Sequence, residues 1–121
     1  MPKITGFSSL ANAPEERISD KITRRVISGD QAMIVWWTAL AGAHAAAHSH
    51  ANEQIFWMLS GRMEARIGDE RRVCGPGEVA VIPGGVEHEV WFLEDTQVID
   101  IFGPPRQDFL TGGPPPYMQA G

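Results

Sequence analysis

The fold class is indicated by residues 55–93, which read IFWMLSGRMEARIGDERRVCGPGEVAVIPGGVEHEVWFL. Short apolar or alternating runs are separated here by Ser-Gly, Gly-Asp-Glu, Gly-Pro-Gly and Pro-Gly-Gly, which supply the backbone angles of tight turns. The same pattern extends in both directions and gives eight runs, at 23–28, 32–40, 55–59, 62–67, 71–73, 78–82, 89–93 and 96–102. Runs of this length and spacing predict an all-β sandwich or barrel, and eight strands can close a small barrel.

The length and composition agree with a single β domain. The chain has 121 residues, which suits one domain, and its 13 glycines and 9 prolines disfavour long helices. We therefore expect an N-terminal arm at 1–22, a barrel at 23–109 and a Pro/Gly-rich tail at 110–121. A short helix capped by Asn12 is expected in the arm. The tail is expected to be loose or laid against a partner subunit.

The charge and the cysteine content exclude several classes of partner. The net charge is −5 and only two of the ten cations are lysines, so the chain lacks a basic surface for nucleic acid. Cys74 is the single cysteine, which excludes an internal disulfide and fits a reducing compartment. We expect it to be a small packing residue. No leader-like segment and no apolar run of membrane-spanning length is evident, so we expect a soluble, cytoplasmic protein without a membrane partner.

The histidines are the most informative residues for function. They fall in two places, three within a few residues of one another and one about forty residues later: His44, His48, His50 and His88. In an extended segment, His48, His50 and Gln54 share a face, whereas Ser49 and Glu53 point to the other side. Alternating histidines on a strand are often only surface or core residues with satisfied hydrogen bonds. The spacing here favours metal ligands instead.

This spacing resembles the two motifs of the cupin family. The first motif, Gly-x5-His-x-His-x3–4-Glu/Gln-x6-Gly, is met by Gly42, His48, His50, Gln54 and Gly61. The second motif, Gly-x5-Pro-x-Gly-x2-His, is met by Gly77, Pro83, Gly85 and His88. The resemblance covers residues 23–109 and implies a cupin jelly-roll β-barrel. It also implies one divalent metal, such as nickel, zinc, manganese or iron, with four ligands: His48, His50, Gln54 and His88. His44 matches no motif position and is expected not to be a ligand.

The last predicted strand contains an aspartate within an apolar run. Val98, Asp100 and Phe102 share a face, and an unpaired buried carboxylate would be costly. Asp100 is therefore expected either to pair with an arginine or a turn amide, or to serve as a carboxylate at the rim of the metal site.

The end of this strand extends the resemblance. Asp-x-Phe-x-Pro-Pro-Arg-x-Asp-Phe at 100–109, together with His-Ser-His and Glu-Gln-Ile, resembles the pectin-degradation cupins that linearise unsaturated uronates. That resemblance implies catalytic roles for Gln54 and Asp100 and substrate binding by Phe102 and Arg106. Pro104 and Pro105 are expected to present the Arg106 guanidinium at the mouth of the site, where it could bind a substrate carboxylate.

The resulting hypothesis is a metal-binding cupin that opens and ketonises an unsaturated uronate or related sugar acid by Lewis-acid and general acid–base catalysis. Two alternatives remain open from the sequence. One is a metal-dependent dioxygenase, and the other is a non-catalytic cupin that binds a sugar or a metal. The expected partners are an anionic small molecule and a second copy of the chain, joined through edge strands as a homodimer.

Overall fold

The computed structural model describes residues 2–118, and its regular secondary structure is almost entirely β-strand. The strands are β1 (Glu16–Arg17), β2 (Ile22–Ser28), β3 (Met33–Ala39), β4 (His44–His48), β5 (Glu53–Ser60), β6 (Met63–Ile67), β7 (Glu70–Cys74), β8 (Val79–Ile82), β9 (His88–Phe92) and β10 (Thr96–Gly103). One short helix, α1 (Gln107–Leu110), follows the last strand. Single 3₁₀ turns lie at Leu10–Asn12 and Pro116–Met118. No helix within residues 2–118 is long and apolar enough to cross a membrane.

The strands form two antiparallel sheets. The larger sheet has the order β1-β2-β3-β10-β5-β8, and the smaller one has the order β4-β9-β6-β7. Chain neighbours such as β4 and β5 lie in different sheets, so the chain passes from one sheet to the other several times. This arrangement confirms the predicted all-β jelly roll.

The core lies between the two sheets because alternate residues of each strand point inward. In β3 the inward residues Met33, Val35, Trp37 and Ala39 are all buried, while the residues between them are half-buried or exposed. Cys74 belongs to the same apolar cluster, so it is a packing residue as predicted. Burial raises the pKa of its thiol.

The structure corrects two predictions about the chain ends. The expected helix beginning at Asn12 is instead a 3₁₀ turn that ends there, because Ala13 precedes Pro14 and takes the extended backbone favoured before proline. Over its described part the tail packs on the same chain and is not loose. Pro115 and Met118 are buried against the barrel of the same chain, so the tail carries more usable apolar surface than its composition suggested.

Candidate metal centre

Three histidines and Gln54 converge from both sheets. His48 ends β4, His50 lies in the loop between β4 and β5, and His88 begins β9. Gln54 lies near the start of β5 in the larger sheet. The predicted convergence is therefore present, but a single alternating strand does not produce it. It arises because the chain crosses from one sheet to the other within residues 49–52.

A bulge in β4 separates His44 from His48. In the pairing of β4 with β9, His44 lies opposite Trp91 and Ala45 lies opposite Val90. The next pair is His48 with His88, so the paired stretch of β4 contains one residue more than that of β9. The extra residue reverses the alternation of faces. His44 consequently lies away from the cluster, where its Nε2 is 2.6 Å from Glu89 Oε2 and its ring stacks on Trp91.

Two adjacent glycines bring the two histidine loops together. The Gly85 N–H donates to the His50 carbonyl at 2.8 Å. A Cβ on Gly84 would lie 2.3 Å from the Ala51 carbonyl oxygen, so a side chain there would push the loops apart. Gly85 itself has φ +82°, which favours glycine. The Pro-Gly-Gly turn thus fixes the distance between His50 and His88.

The three imidazoles are oriented toward one point. One ligand nitrogen from each of His48, His50 and His88 lies within 4.8 Å of the others. In each ring Nδ1 donates to a nearby backbone carbonyl, at 2.7 Å to Ala46, 3.0 Å to Asn52 and 2.9 Å to Val86, respectively. These bonds leave Nε2 of every ring as a free acceptor, which is the arrangement found behind metal-binding histidines.

Burial keeps these histidines neutral. It lowers the pKa of His48 to about 4, against the opposing effect of the Ala46 hydrogen bond. Burial also lowers the pKa of His50, with the nearby Arg106 charge adding to the effect, and lowers the pKa of His88. Neutral imidazole is the form that binds a metal, so the rings are ready to act as ligands at pH 7.

The donor set fits a divalent transition metal. His88 Nε2 is buried and has no hydrogen-bond partner among residues 2–118, although an unpaired buried acceptor is unfavourable. His50 Nε2 lies 3.1 Å from Gln54 Oε1, which is another acceptor. Three imidazole nitrogens and one amide oxygen suit zinc, nickel, iron or manganese, so the residues present fit the metal that the sequence implied.

Asp100 points into the same cavity. It lies on β10 between Val98 and Phe102, and the Trp37 indole on neighbouring β3 donates to Asp100 Oδ2 at 2.9 Å. Burial raises the pKa of Asp100 to about 7, although hydrogen bonds from Gln54 and Trp37 and the charge of Arg106 act against the rise. Neither an arginine nor a turn amide is its close partner within residues 2–118. The carboxyl is placed where it could exchange a proton with a ligand.

Arg106 lies deeper than predicted. Its side chain is buried and makes a two-point contact with Asp108, with Nε to Oδ1 at 3.0 Å and Nη2 to Oδ2 at 2.7 Å. Nη2 also donates to the Tyr117 hydroxyl at 3.1 Å, and the guanidinium packs on Phe109 at 4.2 Å. Phe102 is buried and its ring lies 5.6 Å from that of His50. Both predicted substrate residues thus border the site.

Sequence reasoning missed two residues that shape the site. Asn52 donates to the Pro104 carbonyl at 2.6 Å and so ties the histidine loop to the chain after β10. Tyr117 stacks on His48 with ring centroids 3.6 Å apart and planes 5° from parallel. The Asn52 contact joins residues 52 apart in sequence, and Tyr117 lies in a proline-rich segment without periodicity. Neither position carried a local pattern that could have revealed its role.

The cavity beneath these residues is small and mainly apolar. Its free space is about 40 Å³, enough for an ion or a few water molecules. The polar side chains on its wall are His48, Gln54, His88 and Asp100, and Met118 from the tail also contributes to the lining. Three of the four predicted metal ligands and Asp100 therefore line the same cavity.

The comparisons with known proteins agree with this geometry. The pectin degradation protein KdgF of Dickeya dadantii (strain 3937) is 34% identical over 100 residues, covering 80% of this chain and 91% of that protein. The structure of KdgF from Halomonas sp. is 28% identical, with a TM-score of 0.81 over 88% of this chain and 99% of that chain. An RmlC-like cupin from Shewanella frigidimarina NCIMB 400 is 24% identical, has a TM-score of 0.84 over 90% of this chain and 99% of that chain, and shares the fold.

A protein-family model also matches the chain. The cupin domain model matches residues 35–102, which is more than half of the chain and includes both histidine motifs. The relatives match most of the chain and most of their own length, so the similarity extends over the whole domain. The two sheets, the three converging histidines and these matches lead to one conclusion, that the chain belongs to the cupin family.

Proposed function

We propose that this cupin opens the ring of an unsaturated uronate, or a related sugar acid, and converts the product to its keto form. The observation that carries the proposal is the cluster of His48, His50 and His88 beside a cavity whose wall also includes Gln54 and the carboxyl group of Asp100. The similarity to two proteins named KdgF, one of them named for pectin degradation, supports a sugar-acid substrate. Pectin is a polymer of uronic acids.

The reaction needs one proton to be moved. The hydroxyl at C1 loses its proton, the bond from C1 to the ring oxygen breaks, and an aldehyde and an enolate result. The enolate becomes a ketone when its neighbouring carbon, C4, takes up that same proton. No atom is gained or lost, so one carboxylate that accepts a proton from oxygen and returns it to carbon is sufficient.

Asp100 is the residue we assign to this proton transfer. Trp37 holds one of its oxygens, which fixes the direction of the carboxyl group, and Gln54 lies beside it. A divalent metal bound at His48, His50, Gln54 and His88 supplies Lewis-acid polarisation of a substrate oxygen. Gln54 is neutral where many cupins have glutamate, so the ion retains its full charge.

Arg106 is the residue we assign to the substrate carboxylate, with Phe102 against the sugar. Nη1 of Arg106 has no hydrogen-bond partner among residues 2–118, because Asp108 and Tyr117 occupy Nε and Nη2. A guanidinium can bind a carboxylate through two N–H groups, so a substrate can add to or replace these contacts.

The test is turnover of an unsaturated galacturonate by metal-loaded protein, followed by loss of the ultraviolet absorbance of its C4–C5 double bond. The proposal predicts a rate well above that of spontaneous ring opening, and an Asp100→Asn variant near the spontaneous rate. Oxygen consumption with phenolic or diketone substrates would contradict the proposal and point to a dioxygenase. Uronate binding without turnover would point to a non-catalytic cupin.

The proposal includes a homodimer, joined through a sheet face rather than through edge strands. The outer face of the larger sheet carries two cross-strand apolar rows, Ile27-Ile34-Ile101-Ile55-Val81 and Trp36-Ile99-Trp57-Val79. The end of each row on β8 is strongly exposed, Val79 by 64% and Val81 by 54%. The five strands that carry these rows, β2, β3, β10, β5 and β8, average about seven residues and give a face of roughly 550 Å² before corrugation. That is close to one side of a stable interface, about 600–1,000 Å².

The proposal places the protein in the cytoplasm. The single cysteine is a free, buried thiol, which is compatible with a reducing compartment. Cell fractionation with a tagged full-length chain tests this, and recovery in an extracytoplasmic fraction would contradict it.

A further inference from the structure

The end of the described chain lies directly over the metal centre. We define the C-terminal cap as residues 112–118, which follow α1 and end in the 3₁₀ turn Pro116–Met118. The Tyr117 ring lies flat on His48, 3.6 Å between centroids, and Met118 enters the lining of the metal cavity. Stacking covers the face of the imidazole and leaves its in-plane nitrogen free for a metal. The cap and a bound ion are therefore compatible.

Two buried arginines hold the cap in place. Arg106 Nη2 donates to the Tyr117 hydroxyl at 3.1 Å. Arg24, one of the most completely buried side chains, donates from Nη2 to the Gly113 carbonyl at 3.0 Å and packs on Phe109 at 4.5 Å. A guanidinium carries a permanent positive charge, but the acceptor in each of these two bonds is a neutral oxygen atom of the cap. Arg106 would gain more from a carboxylate, which forms stronger charge-assisted bonds.

The cavity under the cap is too small for a sugar acid. Its free space is about 40 Å³, whereas pockets for organic ligands commonly measure about 300–1,000 Å³. Apart from Phe109 of α1 and Met118 of the cap, the lining residues lie on paired strands, which cannot retreat without breaking backbone hydrogen bonds. Within the cap, Pro115 and Met118 are buried, whereas Gly112, Gly113, Pro114 and Pro116 are exposed. The cap is thus the part of the cavity wall whose displacement costs the least free energy.

We propose that the C-terminal cap occupies the position of the substrate, and that a sugar acid binds by displacing Tyr117 from His48 and Arg106. The substrate carboxylate takes over the Arg106 donor that Tyr117 holds, so Tyr117 sets which ligands can open the site. This inference rests on the proposed function for the identity of the ligand. Only molecules with a displaced cap can bind, so the apparent affinity is the intrinsic affinity multiplied by the fraction of molecules that are open. A cap that is open one-tenth of the time therefore weakens binding about tenfold.

The experiment compares four forms of the protein, each loaded with the same metal. They are the complete chain, a chain lacking residues 114–121, Tyr117→Ala and Tyr117→Phe. A chain lacking only residues 119–121 is the matched control because it retains Tyr117 and Met118. Binding of D-galacturonate, a stable uronate, is measured by calorimetry, and the rate of metal release to EDTA is measured in parallel.

Deletion of residues 114–121, which removes Tyr117 and Met118, is expected to tighten galacturonate binding about tenfold and to accelerate metal release by a similar factor. Tyr117→Ala should reproduce both effects, so the result stands even if the shortened chain does not fold. Tyr117→Phe keeps the stack and loses the Arg106 bond, and should tighten binding about threefold to tenfold. Equal or weaker binding in Tyr117→Ala than in the 119–121 deletion would overturn the displacement.

The two measurements separate this inference from the proposed function. If no form binds galacturonate, the proposed substrate class fails, and the EDTA rates alone then decide whether Tyr117 covers the site. Faster metal release in Tyr117→Ala would still support the cap. An unchanged rate would overturn it.

Discussion

The Nε2 atom of His50 and the Oε1 atom of Gln54 lie 3.1 Å apart although both are acceptors. His50 gives its Nδ1 proton to the Asn52 carbonyl, and the Gln54 side chain also hydrogen-bonds Asp100. Two lone pairs directed at each other are unfavourable unless a cation lies between them. The contact fits the role that we propose for both side chains, as ligands of one bound cation together with His48 and His88.

Loss of two ligands should abolish metal binding without unfolding the protein. A double variant His48→Ala/His50→Ala is expected to lose its stoichiometric metal, because a single histidine and one amide bind a divalent ion weakly. Elemental analysis measures the metal, and circular dichroism measures the fold. His44→Ala is the matched control because His44 contacts Glu89 and Trp91 outside the cluster. Full metal content in the double variant would refute the assigned ligands.

Metal-free protein should show a pH-dependent effect of Asp100→Asn. The raised pKa of Asp100, about 7, means that the folded protein holds this proton more tightly than the unfolded chain does. This difference stabilises the folded protein. The contribution of Asp100 to the free energy of unfolding is fully present below pH 4 and is lost as the pH rises to about 7. Asparagine cannot ionise, so the variant should gain about 2–4 kcal/mol relative to wild type between pH 4 and pH 8.

Urea unfolding in the presence of a chelator measures the free energy of unfolding of Asp100→Asn and of wild type at pH 4 and at pH 8. Subtracting wild type from variant at each pH cancels the contribution of the three histidines, which changes in the opposite direction between pH 4 and 6.5 because burial lowers the pKa of each. A difference that is constant with pH would show that the carboxyl group is not desolvated in the fold.

Arg106 should contribute to both stability and activity. Arg106→Ala removes the pair with Asp108 and the bond to Tyr117, so we expect a loss of about 1–3 kcal/mol in the free energy of unfolding. If Arg106 also binds the substrate carboxylate, kcat/KM for the uronate should fall about tenfold to hundredfold. Arg106→Lys should recover only part of the activity because lysine lacks the planar fork.

Asp108→Asn separates the two roles of Arg106. It weakens the pair while leaving the guanidinium in place, and its own side chain is about half exposed. Burial tends to raise the pKa of Asp108, but the hydrogen bond and charge of Arg106 outweigh this and lower it. Asp108→Asn should therefore lose some stability and keep its uronate activity. Equal activity losses in Asp108→Asn and Arg106→Ala would make Arg106 a structural residue.

The proposed dimer should depend on the outer face of the larger sheet. Val81→Lys places a charge in one of the apolar rows and is expected to give monomers in light scattering coupled to size-exclusion chromatography. Val73→Lys makes the same change at a similarly exposed valine on β7 of the smaller sheet and should leave the dimer intact. A monomeric wild type, or a dimeric Val81→Lys, would contradict this interface.

The strands were predictable because turn residues and alternation are local signals. The eight predicted runs correspond to β2, β3 and β5–β10, with ends that differ by a few residues. The strand β4 was less visible because its centre, Ala45 to Ala47, is small and contains a bulge. That bulge, a long-range feature of pairing with β9, reverses the face between His44 and His48, which simple alternation cannot foresee.

The placement of Arg106 and Tyr117 depended on tertiary contacts. The two prolines before Arg106 suggested a rigid segment, but its burial requires Asp108 and the returning cap to surround the guanidinium. The cap residue Tyr117 meets His48 across 69 positions of sequence, with no periodic pattern to reveal the contact. The metal motif could be predicted because its spacing is itself local.

The most direct test of the account is turnover of an unsaturated galacturonate by metal-loaded wild type and by the His48→Ala/His50→Ala variant, compared with buffer alone. Wild type is expected to accelerate loss of the double-bond absorbance well beyond the spontaneous rate, and the double variant is expected to remain at that rate. A wild-type rate equal to buffer, or a double variant as active as wild type, would contradict it.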